Sequence, residues 1–425
     1  MATPRLHPSL LLAAIGAAFA PASTLASGFM VQDQSASTLV NGHAGMAAAL
    51  DASVAYTNPA AATRFDEAQW SVNVGGISLA ADFADRGSLS AVGTPASGPA
   101  RASADGAAPL LSLFYVRPLN DRVHLAFSMH TPFGLSTSYD EDWVGRYQVT
   151  TAELKTLALN PSLAFELNDD WSAAIGVSAV YAEATLESAV DFGSLCFAVV
   201  GVDGCAAAQI LPQTRDGQVE IVADDWGFGA NAALFGRVGE RTQVGLAWRG
   251  RVALNHTGEA RFHNPQLPGP FAALTQTVAT QDGPVRAPLD LPASLTFGLD
   301  HGLTEATHLV ADLSWTDWST LQDIRIDYAN GAAATVVDFS WEDTLKLGLG
   351  INHRLNDQWL LRTGLEFEES AVSDARRNPV VPDSRRVFAA IGARRTLSDR
   401  SSLDLGLGRL RFAPSDIDRA LLGAG

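Results

Sequence analysis

From Trp70 onward, apolar and polar residues alternate along the chain in runs that are separated by polar breaks. In TLKLGLGINHRL (344–355), leucine or isoleucine occupies every second position from 345 to 351, with lysine and glycine between them. The stretch QWLLRTGLEFEE (358–369) repeats this alternation. A period of two places successive side chains on opposite faces of an extended backbone, so each run predicts a β-strand with one apolar face.

The breaks between the runs alternate in length. Short turns are predicted at 119–122, 168–171, 239–242, 303–306, 356–358 and 398–401. Long loops are predicted at 81–108, 132–155, 187–224, 263–288, 329–340 and 370–384. Short turns at one end and long loops at the other are typical of an outer-membrane barrel, with the turns in the periplasm and the loops outside. We therefore predict an all-β fold, a transmembrane antiparallel β-barrel.

The runs predict thirteen strands, over 70–80, 109–118, 122–131, 156–167, 171–186, 225–238, 242–262, 289–301, 307–327, 340–355, 358–369, 384–396 and 401–412. A single-chain bacterial barrel has an even number of strands, so a fourteenth is expected. We predict the barrel over 67–412, and we expect the tail, 413–425, to lack the final strand or the barrel to close in an unusual way. Tryptophans near predicted strand ends suit interfacial girdles. They are Trp143, Trp171, Trp315, Trp318, Trp341 and Trp359.

The first residues have the features of an export signal. Residues 1–26 contain a cationic Arg5, an apolar stretch from Leu10 to Ala20 and small residues at the cleavage positions before Ser27. The apolar stretch is shorter than a membrane-spanning helix requires. We predict a cleaved signal peptide over 1–26.

Composition agrees with a large exported β-protein. The 425 residues are 47% hydrophobic and 18% charged and include 37 glycines. No stretch after the signal is long and apolar enough to predict a membrane-spanning helix. The net charge of −17, carried by scattered residues, argues against nucleic acid as a partner.

The two cysteines, Cys196 and Cys205, lie close together in CFAVVGVDGC. In an exported chain this spacing favours a local disulfide over a pair of free thiols. A metal site is less favoured, because no histidine or third cysteine stands beside them.

Residues 27–66 do not alternate and are rich in alanine, serine and glycine. Such a segment is poorly suited to a lipid-facing strand, and its small side chains suit close packing inside a barrel. We predict an N-terminal hatch in the lumen, with a turn fixed by Asn58 and Pro59. A simple linker turn is the alternative explanation of this dipeptide.

Several stretches resemble the family of long-chain fatty acid and hydrophobic-compound transporters of the Gram-negative outer membrane (FadL/TodX type). They are SGFMVQDQSAS at 27–37, NPA at 58–60, FGLSTSYDEDWVGRY at 133–147, LDLPASLTFGL at 289–299 and LSWTDWS at 313–319. The resemblance implies a fourteen-stranded barrel closed by a hatch. It also implies capture of a hydrophobic ligand from outside and its lateral release through a kink in the third strand.

By position, the resemblance assigns Asn58, Pro59 and Ala60 to the hatch motif and residues 131–134 to the kink. These four are Thr131, Pro132, Phe133 and Gly134. Proline donates no ladder hydrogen bond and glycine permits an irregular backbone, so pairing is expected to fail there. The alternative is that Pro132 simply ends a strand.

Candidate ligand-path residues are Phe133, Leu135, Trp143, Leu154 and Leu157. Where carboxylate-binding relatives carry cations, this chain has Ser188 and Glu342, so the substrate class stays open between fatty acids and neutral hydrocarbons. Arginines predicted to face inward, and able to supply charge elsewhere, are Arg249, Arg251, Arg362 and Arg394.

We therefore expect a monomeric, passive transporter with a hydrophobic substrate, in contact with outer-membrane lipid and without cofactor or metal. A general or hydrocarbon-specific porin-like channel is the alternative. A lipid-modifying enzyme is less favoured, because the sequence contains neither G-x-S-x-G nor H-E-x-x-H.

Overall fold

A computed structural model describes residues 28–418. The predicted signal peptide, 1–26, and the end of the tail, 419–425, lie outside the described residues. The first strands are β1 (Gln69–Ala84), β2 (Arg101–Asn120), β3 (Val123–His130), β4 (Gly134–Ser138), β5 (Thr151–Glu166), β6 (Trp171–Asp191), β7 (Asp216–Val238), β8 (Thr242–Arg249) and β9 (Val252–His263). The remaining strands are β10 (Gly283–Leu291), β11 (Ser294–Gly302), β12 (Thr307–Thr316), β13 (Asp323–Tyr328), β14 (Thr335–Asp338), β15 (Thr344–Arg354), β16 (Trp359–Glu368), β17 (Arg386–Ser398) and β18 (Ser401–Phe412).

Helices are short and few in the described chain. They are α1 (Ala36–Leu39), α2 (Val54–Thr57), α3 (Phe192–Val199), α4 (Val202–Ala207) and the 3-10 helices Pro59–Arg64, Gly269–Gln276, Val278–Thr280 and Trp318–Thr320. Between residues 28 and 418, no helix is long and apolar enough to cross a membrane.

The eighteen strands form one sheet with antiparallel ladders, which confirms the predicted all-β class. Five pairs of consecutive strands continue one another along a single path, so the sheet follows the thirteen predicted paths. The pairs are β3 with β4, β8 with β9, β10 with β11, β12 with β13 and β14 with β15. Within the described residues, β1 has a ladder with β2 and β18 with β17, and no ladder joins β1 to β18.

Strand ends at the short turns agree with the prediction, whereas the long loops are shorter than predicted except the last, which runs over 369–385 instead of 370–384. The β1–β2 ladder continues to Ala84 opposite Arg101, and the β6–β7 ladder to Asp191 opposite Asp216. Residues 81–84 and 101–108 of the predicted loop are therefore strand, and 85–100 connect them. Backbone hydrogen bonds extend these hairpins beyond the runs that predicted the strands.

The strands separate an apolar outer face from a mixed inner face. Along β15, odd-numbered residues from Leu345 to Leu349 are exposed and even-numbered ones from Thr344 to Asn352 are buried. The exposed side chains of this belt also include Val72, Val74, Phe228, Leu405 and Leu407. An apolar outward face suits lipid contact.

Residues 28–66, here called the N-terminal segment, pack against the inner side of the sheet. Val40, Ala44, Ala47 and Asn58 have no solvent exposure. The contacts between this buried segment and the inner face of the strands define the candidate site.

Candidate functional site

Inward-facing glycines of the wall form the surface on which the N-terminal segment rests. A Cβ atom at Gly364 would collide with the backbone of Asn41, and one at Gly350 would lie 2.8 Å from the Asn41 Cβ. Gly42 itself adopts a positive φ of 64°, which favours glycine, and packs against the backbone of Leu365. The backbones of segment and wall therefore touch directly, with no room for side chains between them.

Asn58 ties the segment to the wall through both ends of its amide. Its Oδ1 accepts a hydrogen bond from the Ala60 N–H at 3.2 Å and caps the 3-10 helix Pro59–Arg64. Its Nδ2 donates to the Leu234 carbonyl of β7 at 2.9 Å. Pro59 begins the helix, where its missing N–H costs nothing. Asparagine followed by proline thus combines a cap, a helix start and a wall contact.

Asn58→Ala is expected to raise the rate of trypsin cleavage at Arg64, the exposed end of this helix, about tenfold or more, because a buried cap and a wall contact together stabilise it by roughly 1–3 kcal/mol. Cleavage at Arg64 requires local opening of the helix, so its rate measures that stability. Asn168→Ala is the matched control, since Asn168 caps only the turn at Asp170 and Trp171. Equal cleavage in Asn58→Ala and the wild type would contradict the assignment.

A buried ionic cluster joins the segment to β15 and β16. The His43 Nδ1 lies 2.7 Å from Glu366 and its Nε2 lies 3.0 Å from Asp33. Lys346 reaches Glu366 at 3.8 Å and donates to the Gln32 side chain at 2.7 Å. Burial disfavours a charge on His43, but Glu366 and Asp33 outweigh it and raise the pKa of His43 to about 9. The imidazole is therefore a cation at neutral pH.

The third strand path breaks where the sequence predicted a kink. His130 faces Ala158 on β5 and Gly134 faces Lys155, so three residues, 131–133, stand opposite two. This is one extra residue, the geometry of a β-bulge. On the other side, the ladder between β2 and β3 ends at Leu113 opposite Met129, and among the described residues no ladder joins β2 to β4.

The N-terminal segment occupies this break. The Val31 N–H donates to the Pro132 carbonyl at 3.0 Å, and the Gly134 N–H donates to the Phe29 carbonyl at 2.9 Å. Gln34 accepts a hydrogen bond from Ser112 of β2 at 3.0 Å. The segment thus bonds the Pro132 carbonyl and the Gly134 N–H, whereas the Phe133 N–H donates to the Thr156 hydroxyl of β5 at 3.0 Å.

Aromatic side chains meet at the same place. The Phe29 ring lies 5.9 Å from the Phe133 ring and 4.9 Å from the Trp318 ring, and Trp341 lies 4.9 Å from Trp318. Leu154 belongs to the same buried cluster and Leu135 packs against it. The result is an apolar compartment beside the break.

The other candidate ligand-path residues differ in their position relative to this compartment. Trp143 belongs to its loop side, stacked on Tyr139 at 4.1 Å. Leu157 stands on the opposite face of β5 from Leu154 and is 38% exposed. Ser188 is half-buried on β6, and Glu342 is exposed in the loop before β15. Neither a serine nor a glutamate side chain carries a positive charge, so neither position supplies a cation.

The expectation that the tryptophans form interfacial girdles is wrong for three of them. Trp143, Trp318 and Trp341 are buried at 1%, 0% and 2% exposure, whereas Trp171 and Trp359 are exposed. Trp318 follows β12 in a 3-10 helix and folds back toward Phe29. Proximity to a strand end does not specify which face of the wall a loop residue reaches.

The cysteine prediction is confirmed: Cys196 and Cys205 form a disulfide that links α3 to α4 between β6 and β7. Both cysteines pack with Phe192 and Ile210 and with Leu274 of the neighbouring long loop. The two loops therefore share a small apolar core.

Sequence reasoning missed His43, Asp33 and Gln34, although all three lie in the segment it assigned to the lumen. The available signal was their polarity: they are polar residues in a stretch otherwise rich in small side chains. A polar side chain that is buried requires a partner, so these residues were candidates for wall contacts.

Together, a sheet with an apolar outer face and a wall break filled by a luminal N-terminal segment define a class, the outer-membrane transport proteins built on a β-barrel. The chain belongs to the family described as outer membrane protein transport protein (OMPP1/FadL/TodX), whose sequence profile matches residues 17–422. Its location is the outer membrane of a Gram-negative bacterium.

Known relatives cover nearly the whole chain. The long-chain fatty acid transport protein of Escherichia coli (strain K12) is 28% identical over 420 residues, covering 93% of this chain and 90% of that protein. Outer membrane protein P1 of Haemophilus influenzae (strain Rd) is 28% identical over 433 residues, covering 96% and 89%.

Solved structures share the fold. A Pseudomonas aeruginosa FadL homologue has a TM-score of 0.79 at 21% identity and covers 91% of each chain. The Pseudomonas putida toluene transporter TodX has a TM-score of 0.66 at 14% identity and covers 91% of this chain and 94% of its own. The homologues are outer-membrane transporters of long-chain fatty acids and hydrocarbons.

Proposed function

We propose that this protein passively transports long-chain fatty acids or similar hydrophobic compounds across the outer membrane. The N-terminal segment acts as a hatch, and substrate leaves sideways through the break in the third strand path. The observation that carries this proposal is the break at 131–133, where the Pro132 carbonyl and the neighbouring Gly134 N–H are hydrogen-bonded to Val31 and Phe29 of the segment. Movement of the segment would remove these bonds and leave the wall open at the break.

The apolar compartment supports the choice of substrate. Phe29, Phe133, Trp318 and Trp341 lie beside the break, so a hydrocarbon chain that displaces the segment meets an apolar surface before it reaches lipid. Burial of each methylene gains about 0.8 kcal/mol, which favours a continuous apolar path over a water-filled pore. The chemistry of the compartment suits a fatty tail and an aromatic hydrocarbon alike.

The test removes the extra residue from the third strand path and measures substrate uptake. Deletion of Pro132 removes the extra residue, so that β3 and β4 continue in one register opposite β5. Cells that lack their own transporter of this class and carry the chain are supplied with labelled oleate, labelled toluene or a labelled hydrophilic sugar. We expect the deletion to lower uptake of the transported hydrophobic label about tenfold or more, because a continuous ladder leaves no lateral gap.

Pro132→Ala is the matched control, since it removes the proline and keeps the extra residue. We expect it to retain most of the wild-type uptake. Wild-type uptake by the deletion variant would rule out exit through the break. Passage of the sugar alone, without oleate or toluene, would favour the porin-like alternative.

A further inference from the structure

Arg249, at the end of β8, makes its two closest contacts with Tyr56 of the N-terminal segment. Its guanidinium lies 4.6 Å from the centre of the Tyr56 ring, in cation–π geometry, and donates a hydrogen bond to the Tyr56 carbonyl. A third contact, to the Asn160 Oδ1 of β5, is long at 3.5 Å. Tyr56 belongs to α2 and lies two residues before the Asn58 cap.

The Arg249 guanidinium differs from the other buried or half-buried arginines in having no carboxylate partner among the described residues. Each of the others in the described chain that is buried or half-buried has a carboxylate partner. The pairs are Arg146 with Asp216, Arg237 with Asp170, Arg362 with Asp404, Arg377 with Asp374, Arg386 with Glu368, and Arg394 with Asp51 and Asp404. Arg249 forms no ion pair with any side chain that the structure describes. A half-buried charge without a counterion attracts an anion.

Unpartnered polar groups stand beside it. The ring of His130, 2% exposed, lies 4.4 Å from the Tyr56 ring, and its Nδ1 has no hydrogen-bond partner among the described residues. Ser128, fully buried on the same face of β3 and opposite Asn160 in register, has an unpartnered hydroxyl. Buried polar atoms are normally hydrogen-bonded, so these two atoms can bond a polar group of a ligand that reaches Arg249.

The site adjoins the route of the substrate. His130 is the last residue of β3, directly before the break, and Phe133 of the aromatic compartment follows three positions later. A ligand whose tail lies in the compartment can therefore extend its head group toward Tyr56 and Arg249.

We propose that Arg249 binds the carboxylate of a fatty acid and releases Tyr56 in exchange. This inference rests on the proposed transport function and names the head group that it accepts. A carboxylate accepts two parallel N–H bonds from a guanidinium and carries a full charge, whereas the Tyr56 carbonyl and ring are neutral. Binding of the head group thus withdraws a contact that holds the segment, so entry of substrate favours its displacement.

The experiment separates the head group from the tail. The full chain is purified in detergent, and its affinities for oleate and methyl oleate, which share one tail, are measured by calorimetry. The wild type is expected to bind oleate about tenfold or more tightly than the ester, the effect of one charge-assisted hydrogen-bond pair. Arg249→Met is expected to lose that preference while the ester affinity stays within about twofold, and Arg249→Lys to retain part of it.

Arg261→Met is the matched control, because it removes a guanidinium of β9 that is exposed and paired with Glu259 at 3.3 Å. It is expected to keep the wild-type preference. Folding of each variant is checked by the heat-modifiable electrophoretic mobility of barrels. If Arg249→Met fails to fold, the measurements on the wild type and on Arg249→Lys still test whether Arg249 binds the carboxylate.

The failures can be told apart. Equal affinity of the wild type for oleate and its ester, or a preference that survives in Arg249→Met, overturns the role of Arg249 and leaves the proposed transport intact. Absence of binding for oleate, methyl oleate and toluene together contradicts the transport function itself.

Discussion

Gly364→Leu is expected to unseat the N-terminal segment and to admit small hydrophilic solutes through the lumen. Any Cβ at Gly364 would collide with the backbone of Asn41, and backbone cannot rotate away as a flexible side chain can. Asn41 is fully buried and precedes Gly42, which contacts Leu365 of the same strand. An overpacking cost of about 3 kcal/mol changes the ratio of displaced to seated segment roughly a hundredfold.

Two measurements report this displacement. Liposome swelling measures entry of a hydrophilic sugar, and a polar maleimide measures access to a cysteine at Ala47, which is fully buried in the segment. Both signals should rise in Gly364→Leu. Labelling is specific because Cys196 and Cys205 are joined in a disulfide.

Gly75→Leu is the matched control, a strand glycine of β1 where an added Cβ meets no atom within 4 Å. It should leave swelling and labelling at wild-type values. A Gly364→Leu barrel that assembles, excludes sugar and protects the Ala47→Cys thiol would show that the segment does not rest on this glycine.

His43→Leu is expected to weaken the seating of the same segment by removing the cation between Asp33 and Glu366. These carboxylates lie 3.0 Å and 2.7 Å from the imidazole nitrogens, and Glu366 is almost completely buried. Loss of one partner from a buried ionic group typically costs about 3–5 kcal/mol, because the remaining charge is left uncompensated. Labelling of the Ala47→Cys thiol should therefore rise strongly at neutral pH.

The wild type should show a matching dependence on pH. The pKa of His43 is raised from 6.5 to about 9 in the folded protein. A raised pKa stabilises the folded state fully below about 6.5, and the contribution, on the order of 3 kcal/mol, is lost as pH rises through about 9. Thiol labelling should accordingly be slow below about pH 6.5, rise between about pH 6.5 and 9 and level off above that range, after correction for the chemical reactivity of the maleimide.

His308→Gln provides the comparison, since His308 pairs with Asp300 at 2.6 Å on β11 and β12, outside the N-terminal segment. This variant should label like the wild type at each pH. Labelling of the wild type that does not change between pH 6 and pH 10, or of His43→Leu that follows the wild type, would contradict a role of the histidine in seating.

The sequence predicted the strands well because side-chain alternation is a local property. Residues 123–130 and 401–412 are strands almost as predicted, and the bulge lies at Pro132 and Phe133. The same alternation separates Leu154 from Leu157, which face opposite ways across β5. The extension over 216–224 has apolar residues at every second position, Val219, Ile221 and Ala223, but the sequence prediction assigned it to a long loop. Its pairing with β6 became evident only in the ladder.

Contacts within the site depended on tertiary structure. His43 and Glu366 are 323 residues apart in the chain, and no local pattern relates them. Alternation predicted that Arg249, Arg362 and Arg394 face inward, but it could not show that two of them meet Asp404 and that the third meets Tyr56 and no carboxylate among the described residues.

By itself, the sequence therefore determined the fold class, the paths of the strands and the disulfide, since each depends on neighbouring residues. Only the tertiary structure decided which glycines receive the N-terminal segment, which charges are neutralised and which guanidinium is left for an anion. Those properties depend on contacts between residues that are far apart in the sequence. These residues meet only when the sheet curves around the N-terminal segment.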